Sequence, residues 1–470
     1  MPGRDRISVP VILLATAVGW GVAACGSDVA TAPSATSRTA FGKGGGTAGV
    51  TVSALDPDTV PSDTTLVIRV LGSGFSAGDK VTWLLAGSAT TKVTTTGPVT
   101  FVSSKELRAT VTVAPDAQLT RYDVEVATTG GKKGIGVEML DVVANMVLLP
   151  EPGWAVSSNA WLVTGTGVIY GRASSSAGGQ SELRWVPSGG SWAVEELGVS
   201  GASFLNHAND DGYLVGITSG GAGLPDRYWV RTPTGTEIAF PAGQAPYRIG
   251  RSGTLIGYVA NAGGTRSPAA WRREGAAWGP PIILPVTASW TNAWLNGIND
   301  RDDIAGRAEQ GSTGQRPVVW RFDGVGWTTM TVVDTDAGSA LRIGSSGIAG
   351  EHWPCLDSSG SACGSVAAFW AAPGAPRRLL AKVTNGGQTG IGGMNNANQI
   401  VGWAEVPSGR RGALGKHAMV WYSPGDPAPY DLGTLRSGWY SQAVGVNEHG
   451  VVVGFGIESS RKRAVVWRLP

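Results

Sequence analysis

Residues able to do chemistry are few, and their spacing narrows the choice. Cys355 and Cys363 stand with seven residues between them in a Ser- and Gly-rich stretch. In an oxidising compartment that spacing reads as a local disulfide, stabilising its loop by roughly 2–3 kcal/mol in the chain-entropy model. A metal site is the rival reading: His352 is near, but no second Cys/His cluster completes a coordination sphere. The four histidines, His207, His352, His417 and His449, share no motif. No HExxH pattern and no nucleophile with its base are found. Gly74, Phe75, Ser76, Ala77 and Gly78 match Gly-x-Ser-x-Gly. A nucleophile elbow needs a strand before it and a helix after it, whereas the flanks here read as strands and the glycines serve a turn. Two carboxylates for glycoside cleavage could still be drawn from the long-loop positions Asp226, Glu309, Glu351, Asp357 and Glu405. The groups Asn209-Asp210-Asp211 and Asn299, Asp300, Asp302, Asp303 raise calcium. Calcium takes six to eight oxygens from alternating positions, so short turns in which Asn and Gly supply positive φ are the expectation. No metal and no cofactor is expected.

The aromatic residues divide into two sets. Trp185, Trp229, Trp271, Trp320, Trp370, Trp421 and Trp467 each close an apolar run and follow a glycine: Gly171, Gly216, Gly257, Gly306, Gly350, Gly402 and Gly454. A large apolar wedge repeated at one position is a packing residue. Trp154, Trp290, Trp294, Trp353, Trp403, Trp439 and Tyr440 fall outside that rhythm, in or beside long polar connections. Exposed on one rigid face they would serve a glycan or protein ligand; buried, they would plug gaps between repeats.

The elements that must position these residues follow from the period. Successive glycines lie about 41 to 52 residues apart, the spacing of a four-stranded propeller blade rather than of helical repeats. Each repeat reads as four strands, for instance Ala293 to Asn299, a strand ending on the glycine, one ending on Trp, and a fourth at Met330 to Val333. The last repeat stops three residues past Trp467, and Met146 to Pro150 reads as its missing fourth strand. Seven blades would then close with that N-terminal strand and leave no edge. Before them, Val50 to Val143 alternates apolar and polar residues in short bursts separated by turn residues, the pattern of a β-sandwich.

Several words carry resemblances. LNGINDRDDIAG (Leu295 to Gly306), GGMNNANQIVG (Gly392 to Gly402) and AVGVNEHGVVVG (Ala443 to Gly454) resemble the HAF repeat of extracellular bacterial proteins, which implies an extracytoplasmic propeller and no catalytic residues. Val70-Leu71-Gly72-Ser73-Gly74-Phe75, with Gly78, Val81, Asp56, Pro57 and Tyr122-Asp123-Val124, resembles the IPT/TIG immunoglobulin-like domain, which implies a spacer or protein-contact module. At the N-terminus, Arg4 and Arg6 precede an apolar stretch ending in Val22-Ala23-Ala24-Cys25, a signal peptide whose last residues resemble a bacterial lipobox. That implies lipidation of Cys25 and stable membrane anchoring. Gly26 after the cysteine implies outer-membrane rather than inner-membrane residence.

The expected chain is therefore all-β. A lipoprotein signal peptide spans 1–24, a flexible Ala/Ser/Thr/Gly tether 25–48, an immunoglobulin-like β-sandwich 49–144, and a seven-bladed β-propeller 145–470. Charged residues are only 15 % and the formal net charge is +2, so no nucleic-acid footprint exists. The expected function is a non-catalytic binding module of the cell envelope for a glycan or envelope protein. Two alternatives remain: a carbohydrate-active enzyme on the same face, and a scaffold for envelope assembly.

Overall fold

In the computed structural model of the protein the described residues are 49–469, apart from 116, 200–202, 221–224, 263–264, 291, 311–313, 355–363, 408–413 and 436–439. Cys25, Cys355, Cys363, Asp357 and Trp439 lie outside them. The described chain is all-β, without a helix long and apolar enough to cross a membrane. It comprises two five-stranded sheets, then seven four-stranded antiparallel sheets and one two-stranded hairpin, Arg273–Glu274 with Ala277–Trp278.

The first two sheets are built from period-2 alternation, which puts every second side chain on one face. Leu107, Ala109, Val111 and Val113 of Glu106–Val113 are buried, as are Tyr122, Val124 and Val126 of Arg121–Ala127. One sheet orders Thr51–Asp56, Thr64–Ser73, Glu106–Val113 and Val93–Thr95, with Thr100–Ser103 also on Glu106–Val113. The other orders Thr59–Pro61, Lys133–Val143, Arg121–Ala127, Lys80–Leu85 and Ser88–Ala89. Trp83 is buried between them and donates from Nε1 to Thr95 Oγ1 at 3.2 Å. The Gly-x-Ser-x-Gly segment is a turn: Gly74 and Gly78 have φ of 79° and 89°, and Ser76 Oγ donates to Asp79 Oδ1 at 2.7 Å. The long strands lie where alternation places them. Short edge strands such as Ser88–Ala89 and the wholly exposed Thr100–Ser103 carry no such pattern and escape a reading by period.

Each four-stranded sheet repeats one plan, illustrated by the fourth: Asn292–Ile298, Ile304–Glu309, Gln315–Trp320, Thr331–Val332. Its first strand carries a β-bulge between Leu295 and Gly297, so two consecutive residues oppose one partner. The same shift recurs in the other six sheets at the equivalent position, for example between Ala340 and Arg342 and between Ala443 and Gly445. The bulge explains the repeated glycine. A Cβ on Gly306 would lie 2.1 Å from the Trp294 carbonyl oxygen, on Gly350 2.0 Å from that of Ser339, and on Gly454 1.9 Å from that of Gln442. The repeated tryptophan packs beside it: all seven are 0–1 % exposed. Six satisfy their indole N–H, as Trp320 does with Pro285 O at 2.9 Å and Trp467 with Leu432 O at 2.8 Å. Trp229 Nε1 alone has no acceptor among the described residues.

The seventh sheet contains Ser441–Val446, Val451–Glu458, Arg461–Arg468 and, as its fourth strand, Met146–Leu148 from the other end of the array. Met146, Val147 and Leu148 pair antiparallel with Trp467, Val466 and Val465. Hydrogen bonds between neighbouring turns then run through every junction. Gly165 N donates to Asp210 Oδ1, Asn209 Nδ2 to Gly250 O, Thr254 Oγ1 to Asp302 Oδ2 and Asn299 Nδ2 to Gly344 O. Asn398 Nδ2 donates to Ser346 Oγ, Asn395 Nδ2 to Asn447 O, and Asn447 Nδ2 to Thr164 O at 2.8 Å, returning to the first sheet. This revises the expected role of the asparagines. Positive φ falls on the fourth turn residue, on Gly or Asn as expected at Gly212, Gly253, Asn398 and Gly450 and on Asp302 besides; in the third sheet the first turn residue is Gly250. The asparagine itself caps the turn and ties one sheet to the next, a use that only a neighbouring repeat can reveal. The buried residues of the sandwich run on into those of the last two sheets, including Val420, Leu432 and Trp467.

Candidate functional site

The connections fall into two sets at opposite ends of the four-stranded sheets. At one end lie the Asn turns between first and second strands. They surround a cavity of about 170 Å³ whose walls include His207, Asp210, Arg251, Asp300, Asn447 and Glu448. The rim charges are matched: Arg251 reaches Asp210 at 3.8 Å and Asp300 at 3.5 Å. Asn396 N–H donates to Glu448 Oε2 at 3.0 Å, while burial and the neighbouring Asp300 raise the Glu448 carboxyl above the usual range. Asp302 and Asp303, candidates for calcium by sequence, serve protein donors instead. Asp302 accepts from Ser252 and Thr254, and Asp303 from Arg321 at 2.7 Å.

At the other end lie the connections between second and third strands and those leading into the next first strand. Trp154 is 39 % exposed and donates to Glu196 Oε1 at 2.9 Å. Trp290 is half-buried against the core of the fourth sheet. Trp294 and Trp353 are brought together across a guanidinium: Arg307 lies 5.1 Å from the first ring centroid and 5.9 Å from the second. Trp403 packs on Gly390 and carries the Lys416 ammonium 3.7 Å above its ring. Tyr440 forms a backbone bridge with Lys416 and stacks on Phe455 at 5.8 Å. Lys462 sits over Phe455 at 4.3 Å. The predicted aromatics thus form a cation-sandwiched pair, a second cluster, and two separate residues. Each cation–π contact is worth about 0.5–2 kcal/mol, depending on desolvation, and favours these ring positions by that amount.

One positional rule was missed from sequence. Arg172, Tyr258 and Arg307, each directly after a repeated glycine, meet the neighbouring sheet, whereas Trp403 and Phe455 at the same offset pack within their own sheets. Arg172 lies 4.8 Å over Phe204 and pairs with buried Glu182. Tyr258 stacks on Tyr247 of its own sheet at 5.3 Å and accepts from the Leu295 N–H of the next sheet at 3.2 Å. The fixed offset from the glycine was the available signal. The loop carboxylates hold local structure: Glu309 accepts from Asn292 and Gln315, Glu405 from the Gln388 N–H, and Asp226 from the Gly220 N–H. Burial raises the Glu351 carboxyl, which accepts from Trp353 Nε1. Among the described residues no His/Cys/Asp/Glu group is arranged to hold a metal ion.

No family model matches the chain, and no curated protein matches it. Among solved structures it is similar to one from a study of two prolyl endopeptidases, with a TM-score of 0.45 and 11 % identity over 75 % of this chain. The chain spans about half of that protein, 52 % of its length. A mutant of AofleA from Arthrobotrys oligospora is similar over 65 % of this chain and 92 % of its own, at TM-score 0.33 and 10 % identity. A Bacteroides ovatus mixed-linkage glucan utilization locus protein, SGBP-B, solved with a mixed-linkage heptasaccharide, is similar at TM-score 0.13 and 14 % identity, over 66 % of this chain and 72 % of its own.

Proposed function

We propose that the chain is a non-catalytic binding module of the bacterial cell envelope, anchored through lipid on Cys25 and presenting a glycan- or protein-binding face. On this reading the seven four-stranded sheets are the blades of a seven-bladed propeller of the HAF-repeat kind, closed by Met146–Leu148. The tether spans 25–48, and Cys355 and Cys363 form a disulfide within a loop of the binding face. The sandwich is an immunoglobulin-like spacer of the IPT/TIG kind. It is supported by Tyr122, whose hydroxyl donates to Gln118 O at 3.0 Å, the back-bond of a tyrosine corner.

The observation that carries the binding reading is the aromatic set at the loop end. Trp294, Trp353 and Trp403 are held by cations, and Trp154 stands 39 % exposed beside Glu196. Aromatic faces fixed beside polar groups bind sugars and protein side chains with little ordering cost. Glycan-array binding and a pull-down from envelope extracts, both with the full chain, test it. Trp154→Ala should weaken binding at unchanged melting temperature. Trp403→Ala should weaken binding and also lose some stability, because its ring packs on Gly390. Binding that survives both substitutions would move the ligand off this face, and an absence of glycan and protein ligands alike would remove the reading.

A further inference from the structure

The bulge in each first strand puts two consecutive residues opposite one, and the second of them occupies the same register position in all seven sheets. In four sheets that residue is Gly or Leu; in the second, third and fifth it is His207, Arg248 and Arg342. First strands of neighbouring sheets pack on one another, so the three residues occupy equivalent positions of one inner layer. No sheet has Asp or Glu at either residue of its bulge. The bulge positions therefore carry two guanidinium groups and no acid; the carboxylates of the cavity that His207 lines, Asp210, Asp300 and Glu448, come from the Asn turns.

Their partners confirm the imbalance. Among the described residues Arg342 donates only to backbone carbonyls, Leu341 O at 2.9 Å and Gly392 O. Arg248 forms no hydrogen bond or ion pair among the described residues, and its Nε is shut from solvent without an acceptor. His207 Nδ1 is in the same condition, and His207 also lines the cavity of about 170 Å³ at the Asn-turn end. All three lie deep in the molecule yet keep part of their surface open. Burial and Arg248 push Arg342 down to about 9; burial and both arginines push His207 down to about 3, against a backbone hydrogen bond at Ile249. Unpaired buried charge is costly, and the planar guanidinium fork suits two oxygens of one oxyanion.

We propose that the inner layer of first strands is a binding site for a phosphate or sulfate group, held between Arg248 and Arg342 with His207 on the cavity side. The same chemistry fits the free ion or that group on a sugar. Thermal melting and calorimetric titration of the full chain with sodium phosphate and sodium sulfate, against sodium chloride at equal ionic strength, test the site. Saturable binding and a raised melting temperature are expected for phosphate or sulfate and not for chloride. Arg248→Gln and Arg342→Gln should each weaken binding at least tenfold. A hexose phosphate that binds more tightly than phosphate would assign the group to a sugar; equal or weaker binding would assign it to the free ion. Should either variant fail to fold, phosphorus NMR line broadening with the wild-type chain provides the test. No oxyanion response beyond chloride, or an undiminished response in folded variants, would overturn the site.

Discussion

Gly306 shows how little room the bulge leaves, since a methyl group there would sit 2.1 Å from the Trp294 carbonyl oxygen and 3.3 Å from the Trp320 ring. Gly306→Ala should cost about 1–3 kcal/mol or more, because backbone and an indole must both move. Gly326→Ala, with open space around it, should stay within about 0.5 kcal/mol; chemical denaturation of the two variants is the comparison. The glycine and its tryptophan were legible in sequence as a repeated pair. The carbonyl that excludes a side chain was not, because a bulge leaves no mark on residue type. His207 makes a pH prediction. Its imidazole is pushed from 6.5 down to about 3, chiefly by burial and then by Arg248 and Arg342. The unfolded chain therefore takes up a proton near 6.5 that the folded chain refuses until about 3. Stability from this group is full above pH 6.5 and is lost as pH falls toward 3, by several kcal/mol at most. His207→Gln should flatten that limb of a melting-temperature profile; a wild-type slope retained in the variant would assign the acid loss to carboxyl groups.

At the scale of the element, the turn asparagine and the closing strand do separable work. Asn447 Oδ1 accepts from the His449 and Val451 N–H groups, while its Nδ2 donates to Thr164 O across the junction. Asn447→Asp keeps the cap and loses the donor, so it should cost about 1–3 kcal/mol by leaving a carbonyl facing a carboxylate. Asn447→Ala should cost more, since both functions go. Closure depends on Met146–Leu148, with Leu149 N bonded to Ala464 O and Glu151 bridging Arg461 and Arg463. A chain beginning at Pro152 should melt far below one beginning at Val143, and it should aggregate through the exposed edge of Arg461–Arg468. Equal melting of the two would mean that the seventh sheet is stable with three strands. The strand was readable because the last repeat lacked one and an apolar surplus stood upstream. The inter-sheet role of Asn447 was unreadable, because its partner is 283 residues away.

For the whole molecule, the proposed anchor gives the plainest test. Cys25→Ser should abolish incorporation of labelled acyl chains and release the protein from the membrane fraction; labelling unchanged by the substitution would end the lipoprotein reading. The sequence by itself determined the all-β class, the four-stranded unit, the sandwich strands with strong alternation and, from the expected strand Met146 to Pro150, the pairing of Met146–Leu148 with the last repeat. These are properties of period and local pattern, which act between residues close in the chain or at a fixed spacing. Only the tertiary structure decided which side chains meet. Trp294 and Trp353 share Arg307 across two sheets, and the loop carboxylates are taken up by neighbouring donors. His207, Arg248 and Arg342 take one register position in three sheets, with no acid at the equivalent bulge residues. A residue's type fixes what it can offer; closure of the array fixes what it is offered to, and that depends on register and bulge position summed around the whole ring.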